Sequence, residues 1–295
     1  MTSQSSTRPS QSGPADAGVQ HPLHDAVVLA DGQHRPHPIR IAIDGKGGVG
    51  KTTVAGVLAR VLARDGQRVL AIDAAPEADL ASALPLDSDE RRESLARQTA
   101  LMQTPEPAAD GLSEQDADLG QRLSKVTVTW GGGHPLVTLG RVRSGAEDSH
   151  EHALLQQLLA QALELPSDII LIDSEAGLEH ISRGTIRGVD LVLVVVEPGQ
   201  RSFDTALSIR QLAADLGIQR VHAVVCGYRD RGELLRMRCW LGDWPPAANF
   251  PYDEGLRAAD LAGTPPELSG DFLAAAELLA ANVIEHSGAL RRTRA

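Results

Sequence analysis

Apolar positions along the chain fall into two kinds of run. The first is continuous: Ile39 to Asp44, Arg68 to Asp73, Asp168 to Asp173, Asp190 to Glu197 and Arg220 to Cys226 are short stretches of Ile, Leu, Val and Ala, most of them closed by a polar residue. Such runs predict strands covered on both faces. The second kind has helical spacing. In Lys51 to Arg64, residues Val54, Leu58, Val61 and Leu62 share one face, and Asp65-Gly66 ends the segment. Glu151 to Leu165, Ser202 to Leu216, Arg231 to Leu241 and Asp271 to Ile284 are read as further helices. Strand, helix, strand in that order predicts an α/β fold with a mostly parallel, doubly wound sheet, and ligands at the carboxyl ends of its strands.

The remaining stretches fit that plan less directly. Residues 77–124 are polar and poorly periodic, with a helix suggested at Glu90 to Leu101. Val126 to Trp130 alternates, and Leu136 to Leu139 returns after Gly131-Gly132-Gly133, which predicts a hairpin. No helix follows those glycines, so they resemble a phosphate loop only superficially. Residues 1–38 are rich in Ser, Gln, Pro, Gly and His and read as a disordered polar extension, with Val27 to Ala30 as a short extra strand. The pairs His21/His24 and His34/His37 are read as part of that solvated tail, because Pro22 and Pro36 interrupt them. Residues 39–295 are read as one domain.

Between the first strand and the first helix lies Gly45-Lys46-Gly47-Gly48-Val49-Gly50-Lys51-Thr52-Thr53. Strand, glycine loop and helix together make a phosphate cradle. The glycines let successive amides point inward, and the helix start adds its positive end. Lys51 is expected to reach the β- and γ-phosphates, Thr52 to ligate Mg2+, and Thr53 to touch the α-phosphate. The chain has 28 Lys plus Arg, of which only Lys46, Lys51 and Lys125 are lysine, so two of the three sit in this loop. A compact ammonium fits among phosphate oxygens where a planar guanidinium does not. Downstream, Asp173 closes an apolar strand and is expected to hold Mg2+ through water.

Composition narrows the function classes. A formal charge of −11 disfavours general nucleic-acid binding. Two cysteines, Cys226 and Cys239, provide no disulfide framework and fit a reducing cytoplasm. No apolar run approaches the roughly 18–20 residues of a membrane span, and no signal peptide is evident at the N-terminus.

The loop K-G-G-V-G-K-T-T, with Lys46 directly after the first glycine, resembles the deviant Walker A ATPases of the MinD/ParA/ArsA group. The later run Asp173-Ser174-Glu175-Ala176-Gly177-Leu178-Glu179-His180, with Arg183-Gly184-Thr185, Val196-Glu197-Pro198 and Leu212 to Ile218, is similar to the CooC family, implicated in inserting nickel into carbon monoxide dehydrogenase. The resemblance implies a P-loop NTPase that binds ATP and Mg2+, dimerises around nucleotide and assists a client metalloenzyme or metal chaperone. It implies that Lys46 reaches the partner subunit's nucleotide, that Asp73 and Asp173 hold Mg2+ through water, and that Gly177 meets the γ-phosphate. Cys226, Pro251 and Tyr252 fall where the family binds the base.

Three departures qualify it. Position 75, where the family carries the Asp that orients the attacking water, is Ala75, with Glu77 and Asp79 as nearby substitutes. Position 226 is Cys where the family has Asn. The family's C-x-C metal motif is replaced by a stretch containing His150 and His152, candidate donors for Ni2+ or Zn2+. Two alternatives stand beside this reading: a positioning ATPase of the MinD or ParA kind, and a nucleotide-gated regulator that scarcely hydrolyses.

Overall fold

The computed structural model describes residues 27–28, 34–35, 38–75, 79–87, 123–124, 127–139, 160, 162–174 and 189–294. The chain divides into two units, residues 1–37 and 38–295. In the first, β1 (Val27–Val28) pairs antiparallel with β2 (His34–Arg35).

The second unit begins with β3 (Ile39–Gly45), α1 (Lys51–Arg64), β4 (Val69–Asp73) and the short α2 (Leu80–Ala83). A hairpin follows, β5 (Thr127–Trp130) and β6 (His134–Thr138), then β7 (Ile169–Asp173) and β8 (Leu191–Val196). The chain continues through α3 (Gln200–Asp215), β9 (Val221–Tyr228), α4 (Arg231–Leu241), β10 (Pro246–Pro251), α5 (Glu254–Ala262) and α6 (Gly270–Arg294). The sheet runs β10-β9-β8-β3-β7-β4-β6-β5, and every neighbouring pair is parallel except β5 with β6.

Both faces of the sheet are covered, which is why its strands read as unbroken apolar runs. Ile39, Ile41 and Ile43 pack with Val54, Leu58 and Leu62 of α1 and with Phe272, Ala276 and Leu279 of α6. Ala42, Val192, Val194 and Val196 face the other way, against Ala206 and Ile209 of α3 and Met237 and Leu241 of α4. The register of β4 on β7 sets Asp73 opposite Asp173. At the other end of those strands Arg68 makes a two-pronged ion pair with Asp168, at 2.9 and 2.6 Å, and its backbone N–H adds a third bond to the same carboxylate. That fork resists a register slip.

Three elements differ from the sequence reading. β10 carries Pro246 and Pro251, which argue against a strand, yet it is the sheet's edge, where proline costs no ladder bond. α5 follows Asp253, whose Oδ1 accepts the N–H groups of Gly255 at 2.7 Å and Leu256 at 3.2 Å, an N-terminal cap that sequence spacing left unread. α6 runs past Ile284 to Arg294. It is tied down there by Arg220 Nη1 donating to the His286 carbonyl at 3.2 Å and Asn282 Nδ2 donating to the Ala247 carbonyl at 2.7 Å. The expected helix at Glu90 to Leu101, and most of that at Glu151 to Leu165, lie outside the described residues. Among the described residues no helix is long and apolar enough to cross a membrane.

Candidate functional site

Parallel strands deliver their carboxyl ends to one edge of the sheet, and the candidate residues gather there. β3 sits mid-sheet and ends at Gly45, opposite Val195 of β8. A Cβ on Gly45 would lie 2.5 Å from the Val195 carbonyl oxygen, so only glycine lets the loop leave the sheet this close to its neighbour. The loop closes at Gly50, where φ is +95° and a Cβ would meet the Cys226 sulfur at 3.2 Å. Gly50 gives α1 no side-chain cap, and the first turn holds no acidic residue. The Gly45 N–H is taken by the Asp44 carboxylate at 2.6 Å, but the amides that open α1 and its positive end have no acidic side chain in their own turn to answer them.

Both loop lysines are engaged. Lys51 Nζ donates to the Lys46 carbonyl at 3.3 Å. Lys46 Nζ pairs with Glu197 Oε1 at 3.0 Å, both side chains being partly exposed. Glu197 stands at the end of β8, its N–H held by the Ser202 hydroxyl at 3.0 Å.

Two buried carboxylates close the adjacent strands. Asp73 accepts the N–H of Leu80 at 2.9 Å and of Ala75 at 3.1 Å. Burial pushes its pKa up to about 7, with the Asp173 and Asp79 charges adding to the rise against those two bonds. Burial likewise lifts Asp173 to about 6, opposed by the Thr52 hydroxyl and the Lys51 charge. Neither Asp173 oxygen makes a hydrogen bond of full distance and angle, although Thr52 lies close enough to favour the ionised form. Two buried carboxylates and a hydroxyl, with oxygens to spare, are the hard donor set that suits Mg2+. Asp79 is exposed at the start of α2, and its charge is felt by both carboxylates.

The raised carboxylates carry a pH signature. In each case the folded protein keeps a proton that the unfolded chain releases near pH 4, so the contribution is complete below that pH and is lost as pH rises through about 6 to 7. Metal-free protein is expected to lose several degrees of Tm between pH 5 and 8 from this source. Thermal melts of Asp173→Asn should show a flatter profile, and a variant profile parallel to wild type would remove Asp173 as a cause.

On the far side of the loop, Cys226 lies in β9 opposite Phe250, two residues before the strand ends at Tyr228, which pairs with Pro251. Burial, reinforced by the Glu197 charge, pushes the Cys226 thiol up to about 12, so it is a neutral, weak hydrogen-bonding group. Tyr252 donates its N–H to the Tyr228 carbonyl at 2.8 Å and its hydroxyl to Glu254 at 2.6 Å. The Arg229 guanidinium stacks 4.3 Å from the Tyr252 ring centroid.

The structure thus brings Gly45, Lys46, Gly47, Gly48, Val49, Gly50, Lys51, Thr52 and Thr53 to one edge with Asp73, Asp173, Cys226, Pro251 and Tyr252. Gly177, His150 and His152 lie outside the described residues, as does Glu77. Glu197 and Arg229 are additions: each is plain in the sequence, but Lys46 and Glu197 pair across some 150 residues, and spacing gives no sign that Arg229 stacks on Tyr252. The second glycine cluster is accounted for. Gly132 and Gly133 each donate an N–H to the Asp87 carboxylate at 3.0 Å, so a side chain of the same protein fills that nest.

A family model described as an AAA domain matches residues 39–216. The carbon monoxide dehydrogenase accessory protein CooC of Rhodospirillum rubrum is 35% identical over 76% of this chain and 88% of its own. An uncharacterized ATP-binding protein of Methanocaldococcus jannaschii is 31% identical over 81% of this chain and 95% of its own. Among solved structures, the MinD cell division protein of Aquifex aeolicus in complex with MinC aligns with a TM-score of 0.58, at 22% identity over 84% of this chain and 96% of that one. A ParA family ATPase from Chlorobium tepidum aligns at 0.60, with 18% identity over 84% and 100%. At those identities the two structures speak for the fold.

Proposed function

Because the chain belongs to the AAA-domain family of P-loop ATPases, within the MinD/ParA/CooC superfamily, we propose that it binds ATP and Mg2+, dimerises around the nucleotide and assists the maturation of a client metalloenzyme. The observation that carries the nucleotide part is the convergence of the 45–53 loop with two buried carboxylates at the ends of adjacent strands, one of which, Asp173, has neither oxygen satisfied by a hydrogen bond of full geometry.

In this reading the loop amides and the start of α1 hold the phosphates, and Lys51 leaves the Lys46 carbonyl to reach the terminal phosphoryl oxygens. Thr52, Asp73 and Asp173 hold Mg2+, the two carboxylates through water, and the ion neutralises charge on the phosphates. Gly177 lies in the loop that senses the γ-phosphate. Tyr252, Pro251 and Cys226 border the base, with Cys226 too weak a partner to select a purine by itself. Lys46 crosses to the partner's nucleotide. The metal-maturation part rests on the likeness to the CooC protein, with His150 and His152 as the candidate donors for Ni2+ or Zn2+. Ala75 favours one variant of the same reading, a nucleotide-gated protein with slow hydrolysis.

The test is light scattering on the full chain with Mg2+ and a non-hydrolysable ATP analogue. The mass is expected to double, and Lys46→Ala should stay monomeric. Ni2+ added to that dimer and then desalted should leave about one ion per dimer, lost in His150→Ala/His152→Ala. A monomer under every nucleotide condition ends the dimer reading. A dimer that retains no metal ends the proposed metal role of the two histidines.

A further inference from the structure

The pair between Lys46 and Glu197 is local to one chain. We infer that Glu197 is a latch on Lys46: it holds the lysine at home in the nucleotide-free protein and must let go before two copies close on nucleotide. This rests on the reading of Lys46 as the residue that crosses between subunits.

Three observations carry it. Lys46 Nζ lies 3.0 Å from Glu197 Oε1, within ion-pair distance. The carboxylate is held in place, because Glu197 follows directly on β8 and its N–H is fixed by Ser202 at 3.0 Å. The same carboxylate raises the Cys226 thiol, whose sulfur stands 3.2 Å from where a Cβ on the loop glycine Gly50 would lie, so the Glu197 charge is felt beside the loop meant for anions. An ammonium cannot keep this partner and also extend to a second subunit. Closing a dimer therefore breaks two such pairs, one per protomer. A pair this exposed restrains only modestly, about threefold each. The two together raise the protein concentration needed for dimerisation about tenfold. Glu197 is thus a positioning residue that acts through Lys46.

The experiment compares wild type with Glu197→Gln, full chain, in Mg2+ and a saturating non-hydrolysable ATP analogue. Sedimentation across protein concentration should place the Glu197→Gln dimerisation midpoint about tenfold lower. Glu197→Asp, one methylene shorter, should fall between. In the nucleotide-free state an amine-reactive acylating reagent, read by mass spectrometry, should label Lys46 severalfold faster in Glu197→Gln, with Lys51 unchanged. General loosening of β8 would speed both lysines. An equal or higher midpoint, or an unchanged Lys46 labelling rate, overturns the latch. If wild type never dimerises, the dimer reading has failed on its own account, and the labelling rate still decides whether Glu197 restrains Lys46. If Glu197→Gln does not fold, Glu197→Asp carries both measurements.

Discussion

Lys51→Ala is expected to erase the thermal stabilisation that ATP and Mg2+ give the wild-type chain. Binding to the folded state alone stabilises by about 2.7 kcal/mol at a hundredfold excess over Kd. For a domain of this size that is roughly 5–10 °C in Tm. Lys51 starts α1 and donates to the Lys46 carbonyl, so in the free protein its ammonium already points back over the loop. Its bond there is long and easily exchanged for phosphate oxygens. Removing it leaves the amides and the helix end but takes away the only cation of the loop that is not paired with Glu197. The variant should melt near wild type without nucleotide, because Lys51 is only partly buried and lies outside the apolar core. An ATP-induced shift equal to that of wild type would end the phosphate-cradle reading. A lower melting point without nucleotide would show that the lysine also supports the fold.

The second large effect is expected at position 75. Ala75 follows β4, and its N–H is bonded to Asp73, so the residue stands at the carboxylate edge with a methyl group where the resemblance places a water-orienting Asp. A methyl accepts no hydrogen bond. Binding the triphosphate and the transition state equally well does not raise turnover, and a missing positioned polar group costs on the order of 10²-fold or more. Wild type should therefore bind ATP well and hydrolyse it slowly. Ala75→Asp should raise kcat by about ten- to a hundredfold at nearly constant ATP affinity, measured by phosphate release and by equilibrium titration. Asp79 is the rival: its charge already reaches Asp73 and Asp173. Brisk wild-type turnover that Asp79→Asn abolishes would assign it the role, and the same result with Glu77→Gln would assign it to Glu77. Slow turnover unchanged by Ala75→Asp would place the limit elsewhere.

What could be read in advance followed local rules. The loop and its helix were legible because a glycine run between an apolar strand and a periodic segment has few structural solutions, and α1 begins and ends where the pattern predicted. The continuous runs were legible as strands because a sheet covered on both faces leaves no polar alternation. The hairpin at Gly131 to Gly133 was legible from its turn, and Asp87 supplied the reason it takes no anion. What escaped depended on distant partners. β10 drew no strand assignment because proline is judged against the middle of a sheet, and only the strand order puts it at the edge. The Lys46–Glu197 pair escaped for the same reason. The raised Asp73 and Asp173 pKa values needed the depth at which both sit and, for Asp73, the register that sets Asp173 beside it.

The proline-bounded strand has a consequence for how copies of this protein meet. An outermost strand is ordinarily a template on which another chain can lay down its backbone, and repeated addition builds fibres. In β10 that template is interrupted. Pro246 and Pro251 have no N–H to offer, and the carbonyl of Ala247 between them is already taken by Asn282 of α6. Strand-by-strand growth is disfavoured at this margin, so crowding many copies together need not turn them into a fibre here. At this edge, association has to use side chains rather than a continuous backbone ladder, and side-chain contacts can be made and broken without rebuilding the sheet.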